Sequence, residues 1–312
     1  MSQLGKKLTI LVSSCDAYED LWLPFFTLLK KYWNPCDIQI LLNTESKEFS
    51  FPGLEIECVH SPGEQRYGKR LLNALKKVKT PYVLSLLDDF FLRSPVDEAR
   101  IRQIIDWMDD DKNIVYFNCD PNQAYADWDV DKYPGFRRLP PGNDYVLSLQ
   151  GAIWRTKKFK KFWLPNVNPW EWEILTNTKS ARYSRYGFYC LSGNKPGFLD
   201  YGYNPKGMGV FRGKWVIEDV GPLFQKENIS VDFTIRGIYT PGEKKQLTQE
   251  DTSQIKKIIR CLGWGDVPLF WMYCLFSKYR CMVRKPLEVN YFQFLTRTAK
   301  RKFYKTAAKR KK

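Results

Sequence analysis

The chain has 312 residues, 44% of them hydrophobic and 16% aromatic, enough to bury a core without disulfide staples. That content excludes a disordered polymer, and a mean hydropathy of −0.46 excludes a multispan membrane protein. Fifty Lys and Arg against 34 Asp and Glu give a formal charge of +16, which calls for a polyanionic neighbour: nucleic acid, anionic lipid or phosphorylated substrate.

In chain order, Lys7–Ser14 is a short apolar run bounded by polar residues and predicts a buried strand. Leu21, Phe25, Leu28, Leu29 and Tyr32 recur at helical spacing. Asp37–Asn43 and Leu54–His60 read as the next two strands, the second with period-two alternation. Leu71, Ala74, Leu75 and Val78 mark a helix stopped by Thr80-Pro81. Tyr82–Leu87 is a continuous apolar strand, as expected where both faces of a parallel sheet are covered. Ser94, Pro95 and Asp97 start a helix with an Ile101, Ile104, Ile105, Met108 stripe, and Asn113–Asn118 is the following strand. This alternation predicts an open α/β sheet with helices on both faces.

Beyond Asn118 the pattern loosens into a long loop rich in Pro, Gly, Asp and aromatic residues. Tyr145–Arg155 reads as a strand running into a basic helix, and the Asn168–Thr178 segment as a helix start with Pro169 and two acids in its first turn. Phe188–Ser192 is a further strand, Gly207–Trp215 a basic turn punctuated by glycine, and Ile217–Lys226 and Gln249–Leu262 are helices. From residue 278 onward, thirteen basic residues face only Glu288, so this tail carries +12 and residues 1–277 only +4. Val267–Phe276, just before it, is apolar and aromatic, too short to span a bilayer and long enough to lie in its interface.

The eight cysteines (Cys15, Cys36, Cys58, Cys119, Cys190, Cys261, Cys274 and Cys281) include no Cys-x-x-Cys pair, and His60 is the only histidine. A zinc site of the usual Cys and His spacings is not expected, nor is a nucleophile needing an imidazole base unless His60 serves. His60 reads equally as the residue ending an apolar strand. Dispersed cysteines fit a reducing compartment. Leu8–Val12 is too short for a signal peptide, and the expected location is the cytoplasm.

The sharpest signal is Leu84–Leu92, where an apolar strand delivers Asp88 and Asp89 at its carboxyl end, the ligand-binding edge of open parallel sheets. Their Leu-Leu and Phe-Phe flanks demand burial, and a hard divalent cation shared with a diphosphate is an economical partner for buried carboxylates. The alternative is a helix cap or salt bridge at a strand end. Ser14, Asp16 and Tyr18 follow the first strand; Asp16 and Tyr18 can bond to and stack on a nucleoside, while Ser14 or Asp16 can instead cap the next helix. Arg66, Lys69 and Arg70 open a helix and can reach phosphates or form a solvated basic face. Glu171 and Glu173 stand among tryptophans, a setting for a general base or simply for acids at a helix start. Arg212 and Lys214 flank a glycine and suit a diphosphate clamp.

These segments, in this order over roughly Leu8 to Gly237, resemble bacterial glycosyltransferases of surface-polysaccharide clusters. The resemblance implies the A-type glycosyltransferase fold, a Rossmann-like α/β domain with a mostly parallel sheet, here followed by a helical basic extension. It implies a nucleotide-diphosphate sugar as donor, Mg²⁺ or Mn²⁺ on Asp88 and Asp89, Asp16 near the nucleoside, and Glu173 or Glu171 as the base, Glu173 preferred. The family's metal motif is usually Asp-x-Asp, and this chain has two adjacent acids instead. Three regions follow: 1–120 for the nucleotide sugar, 121–265 for acceptor and catalysis, and 266–312 as a membrane-associating tail. The expected partners are the nucleotide sugar, a glycan or lipid-linked acceptor and an anionic inner membrane surface, with no nucleic acid. A nucleotidyltransferase is the rival enzyme, although no Gly-rich, Lys-bearing phosphate loop follows the first strand. A nucleic-acid binder using the tail is the rival non-enzyme, and it gives no reason for the acid pair.

Overall fold

The secondary structure follows from where the apolar residues recur, and the sheet from how those runs pair. A computed structural model describes residues 2–64, 66–119, 132–141, 146–180, 183, 185–192, 197–202 and 208–241. These belong to one compact unit, residues 1–244. The predicted helix at Gln249–Leu262, the apolar stretch Val267–Phe276 and the basic tail lie outside the described residues. Among the described residues, no helix is long and apolar enough to cross a membrane.

Eight strands form one sheet in the order β3-β2-β1-β4-β7-β5-β8-β6. The strands are β1 (Leu8–Ser13), β2 (Ile40–Asn43), β3 (Ile56–Val59), β4 (Tyr82–Leu87), β5 (Ile114–Asn118), β6 (Phe136–Arg138), β7 (Ala152–Arg155) and β8 (Gly187–Leu191). Pairings β1–β2, β1–β4, β2–β3 and β5–β8 are parallel; β7 runs antiparallel to both β4 and β5, and β6 antiparallel to β8. Helices α2 (Glu19–Tyr32) and α4 (Glu98–Asp110) pack with Leu8, Ile10 and Val12 on one face. Helices α3 (Tyr67–Lys77), α5 (Thr156–Phe162) and α6 (Pro169–Ser180) associate with one another, α3 also meeting β1 and β2. The fold is a Rossmann-like α/β sheet, mostly parallel, in keeping with the α/β sheet that the alternating pattern predicted and the Rossmann-like form that the resemblance implied.

Local signals explain most boundaries. In α4, Asp97 accepts the Arg100 N–H at 2.9 Å, and Ile101, Ile104, Ile105 and Met108 are all buried. No periodic signal marks the five-residue α1 (Gln3–Lys7), which Ser2 caps through the Gly5 N–H at 3.1 Å. The expected strand at Leu54–His60 contracts to Ile56–Val59 because its partner β2 offers only four residues. The expected strand at Tyr145–Arg155 contracts to Ala152–Arg155. Before it Gly151 is wedged so tightly that a Cβ would stand 2.8 Å from Cys119 Sγ and 2.9 Å from the Tyr201 ring. Val146, Leu147 and Leu149 are buried without being in a strand, so their apolar character reported burial alone.

The segment read as a basic turn is a hairpin of β9 (Val210–Phe211) and β10 (Lys214–Trp215), leading into α7 (Ile217–Lys226). Arg212 (φ 53°) and Gly213 (φ 76°) are both left-handed, the backbone of a two-residue turn matched to strand twist. The hairpin is tied to the main sheet beside the acid pair, as the Gly209 N–H donates to the Asp89 carbonyl at 2.6 Å. A side chain at Gly209 would collide with the Phe91 ring at 2.2 Å, so glycine permits this close approach.

Candidate active site

Parallel pairing brings the site residues together at one edge. β1 and β4 pair in register up to Ser13 and Leu87, so Ser14 and Asp88 leave the sheet side by side. The Ser14 hydroxyl donates to an Asp88 carboxylate oxygen and accepts the Trp22 indole N–H at 2.6 Å. Ser14 therefore orients Asp88 and does not cap the following helix. Asp88 is 4% exposed and Asp89 is half-buried. Burial and the neighbouring Asp89 charge push the Asp88 carboxyl well above the usual range, with Ser14 and Arg236 only partly offsetting them. Burial pushes Asp89 up to about 7, against a backbone hydrogen bond and Arg236.

Asp16 does not cap a helix either. Its carboxylate gathers the loop after β2, accepting from the N–H groups of Glu45 (2.9 Å), Ser46 (3.0 Å) and Lys47 (3.3 Å) and from the Ser46 hydroxyl (2.6 Å). Burial opposes its charge, yet the Ser46 hydroxyl and these N–H groups hold it at about 2. The Glu45 carboxylate accepts the Asp16 N–H in return and pairs with Arg70 at 2.9 Å. Arg70 is buried and reaches the loop. Arg66 and Lys69 instead face Glu64, at 2.6 and 3.5 Å, as a basic surface would.

Tyr18 lies beside the acids. Burial, then the Asp89 and Asp88 charges, push its hydroxyl up to about 12. Burial and the Asp88 charge likewise push the Cys15 thiol up to about 11. Above the Tyr18 ring, at 4.5 Å, stands the guanidinium of Arg236. Arg236 also pairs with Asp20, with Nε at 2.8 Å from Oδ2, and donates to the Gly213 carbonyl at 3.2 Å. It thus clamps the hairpin turn against the start of α2. The turn carries Arg212 and Lys214, and the Arg212 guanidinium lies 5.2 Å from the Phe211 ring centroid.

Glu173 reaches the same edge from α6. Its Oε1 accepts the Leu149 N–H at 2.9 Å, and its charge together with that of Asp88 acts on the Tyr67 hydroxyl. The Ser13 hydroxyl bonds to Tyr67 at 3.2 Å, so Glu173, Tyr67, Ser13 and Asp88 are neighbours. Trp172 is fully buried and stacks on Trp163 at 4.9 Å, which makes it core. The side chains of Trp170 and Glu171 lie outside the described residues.

The structure thus collects Ser14, Tyr18, Asp88, Asp89 and Glu173 at one sheet edge, with Asp16 and Arg70 holding an adjoining loop. Arg236, Glu45 and Tyr67 belong to the same arrangement and carried no signal in the sequence. The acids fit a hard divalent cation: among the described residues, Arg236 is the cation whose charge acts on both carboxylates, and it is bonded to Asp20. With only two protein carboxylates, such an ion would complete its shell with water and substrate oxygens.

The sequence matches no family model and no curated protein. Its fold is similar to that of TarS 1–349 from S. aureus, at 13% identity and a TM-score of 0.38, covering 60% of each chain. The same fragment in complex with UDP-GlcNAc gives 13% identity and a TM-score of 0.41 over 84% of this chain and 83% of that one. The mannosyltransferase PcManGT from Pyrobaculum calidifontis, in complex with GDP-Man and Mn²⁺, gives 11% identity and a TM-score of 0.44, covering 94% and 79%. Likeness of this degree bears on neither substrate nor chemistry, which rest on the side chains.

The raised Asp89 carboxyl has a consequence for stability. An acid whose pKa is higher folded than unfolded keeps its proton longer in the folded state, so stability falls as pH rises from about 4 through 7. Thermal melts in chelator from pH 5 to 8.5 should show that fall, and Asp89→Asn should flatten it and raise the melting temperature at pH 8. Equal pH dependence in the variant would show that Asp89 is not the source.

Proposed function

We propose that the chain transfers a sugar from a nucleotide-diphosphate donor to an acceptor hydroxyl, acting in surface-polysaccharide or lipopolysaccharide synthesis. The observation that carries this reading is the acid pair, Asp88 buried and Asp89 half-buried, at the carboxyl end of β4 beside the end of β1. Open parallel sheets bind their ligands at that edge. A nucleic-acid binder has no use for an acid pair there, and a nucleotidyltransferase would be expected to cradle its phosphates in a Gly-rich loop.

Asp88 and Asp89 would hold Mg²⁺ or Mn²⁺, which when bound supplies charge neutralisation for the departing diphosphate. Ser14 orients Asp88 for this task through its hydroxyl. Arg212 and Lys214, on a turn clamped by Arg236, would contact the diphosphate from the hairpin side. Tyr18 offers an aromatic face next to the acids, and Asp16 with Arg70 keeps the loop after β2 in place to receive the nucleoside. Glu173 would accept the proton of the acceptor hydroxyl as that oxygen attacks the anomeric carbon from the side opposite the diphosphate, giving inversion. Glu171 is the second candidate for that role.

A panel of nucleotide sugars tested by thermal shift with and without Mn²⁺ should contain one that raises the melting temperature, more with metal than without. Asp88→Asn and Asp89→Asn should abolish the metal-dependent part while the protein remains folded. A panel that shifts nothing, or variants that respond like the wild type, would contradict the reading. With the donor found, Glu173→Gln should lower kcat by about 10²–10⁴-fold with little change in donor affinity; an unchanged kcat would remove Glu173 as the base.

The tail reading is part of the same proposal. Each basic residue near an anionic leaflet contributes roughly 1 kcal/mol, so the +12 of residues 278–312 would hold the enzyme at a membrane bearing a lipid-linked acceptor. Deleting residues 267–312 should release the protein from anionic vesicles in a flotation assay. Retained binding would contradict the anchoring role.

A further inference from the structure

At the far edge of the sheet, three strand positions from the acids, the side chains of Glu48, Cys58 and His60 converge. Cys58 lies in β3 and His60 follows two residues later, so strand alternation turns both to one face. Glu48 comes from the loop between β2 and β3. One ligand atom from each lies within 4.8 Å of the others, and His60 Nε2 is 3.4 Å from Glu48 Oε1. Zinc bonds of about 2.0–2.1 Å in tetrahedral geometry place nitrogen and oxygen ligands roughly 3.3–3.4 Å apart. The His–Glu spacing already has that value.

One backbone group is already placed to support a thiolate ligand, against burial and the Glu48 carboxylate, which push the Cys58 thiol up. The Phe49 N–H donates to Cys58 Sγ at 3.2 Å, a bond that a metal-bound sulfur would keep. The thiol proton, which now points to the Phe49 carbonyl at 3.5 Å, would be released to solvent on binding. His60 Nε2 now lies 3.2 Å from the Lys47 carbonyl; as a ligand it would carry its proton on Nδ1. Glu48 is exposed, with its carboxylate already beside His60. From these positions we infer that Glu48, Cys58 and His60 form a binding site for a thiophilic divalent cation, zinc by its mixed S, N and O donors, with a fourth position left for water.

The site follows none of the usual zinc spacings along the chain, because its third ligand is supplied by the sheet connection and not by a neighbouring residue. Its effect would be structural. The loop it staples contains the Glu45, Ser46 and Lys47 N–H groups that bond to Asp16, and Phe49, which stacks on Phe26 at 5.2 Å. A bound ion would therefore fix the loop that adjoins the candidate active site without entering it.

Cobalt titration of the full chain, kept reduced by a phosphine, reads the site directly. We expect a sulfur-to-cobalt charge-transfer band and tetrahedral visible bands saturating at one equivalent, both erased by one equivalent of Zn²⁺. Cys58→Ser should lose the charge-transfer band, and His60→Gln and Glu48→Gln should each weaken cobalt binding at least tenfold. A folded wild type without the band, or a band unchanged in Cys58→Ser, would overturn the assignment. Should Cys58→Ser fail to fold, His60→Gln decides, since unchanged affinity there would overturn it equally. None of these readouts depends on sugar transfer.

Discussion

The register between β1 and β4 is the constraint on which the site depends. Because Ser13 pairs with Leu87, the next residue of each strand emerges at the same height, and Ser14 meets Asp88. A slip of one residue would exchange Leu8, Ile10 and Val12 of β1, or Tyr82, Leu84 and Leu86 of β4, with the buried residues of the opposite face, so the packing enforces the alignment. Leu84 and Leu86 on β4, packed with Ile10 and Val12 on β1, hold it. Taking a carboxylate out of water costs on the order of several kcal/mol, and two adjacent ones repel each other besides. The sheet and its helices must carry that cost, which is why the acids sit in the turn that directly follows a fully packed strand.

Around this fixed point the loops are held by charge. The reciprocal bonds of Asp16 and Glu45 close the segment after β2 onto the segment after β1, and Arg70 secures Glu45 from α3. On the other side Arg236 joins α2 to the β9–β10 turn, and Gly209 joins the same hairpin to the backbone of Asp89. The cations nearest the acids are therefore occupied. What results is a sheet edge whose polar groups are already oriented, the preorganisation that the proposed cation and diphosphate would use.

How far the sequence disclosed this depends on whether the signal was local. Asp88 and Asp89 were legible because their apolar flanks permit no solvated loop, and the α4 start was legible because Asp97 acts within three residues of its partner. The antiparallel direction of β7 was not, since an apolar run carries no arrow. Arg236 lies in an unremarkable stretch and acquires its meaning only by meeting Asp20 and Tyr18, more than two hundred residues earlier. Asp16 read as a residue near a nucleoside or a helix cap, and the loop it binds is contributed by Glu45, Ser46 and Lys47, whose backbone N–H groups no side-chain pattern reveals. His60 read as a strand end, and its proximity to Glu48 exists only because the chain doubles back between β2 and β3.

The central claim is that the acid pair is an unneutralised site for a divalent cation, and proton release tests it most directly. Calorimetric titration of Mn²⁺ at pH 6.5 in two buffers of different ionisation enthalpy reports the protons displaced on binding. The account predicts proton release that falls in Asp89→Asn, because both raised carboxyls must ionise to hold the ion and the variant leaves only Asp88 to do so. Binding without proton release, or release undiminished in that variant, would contradict it.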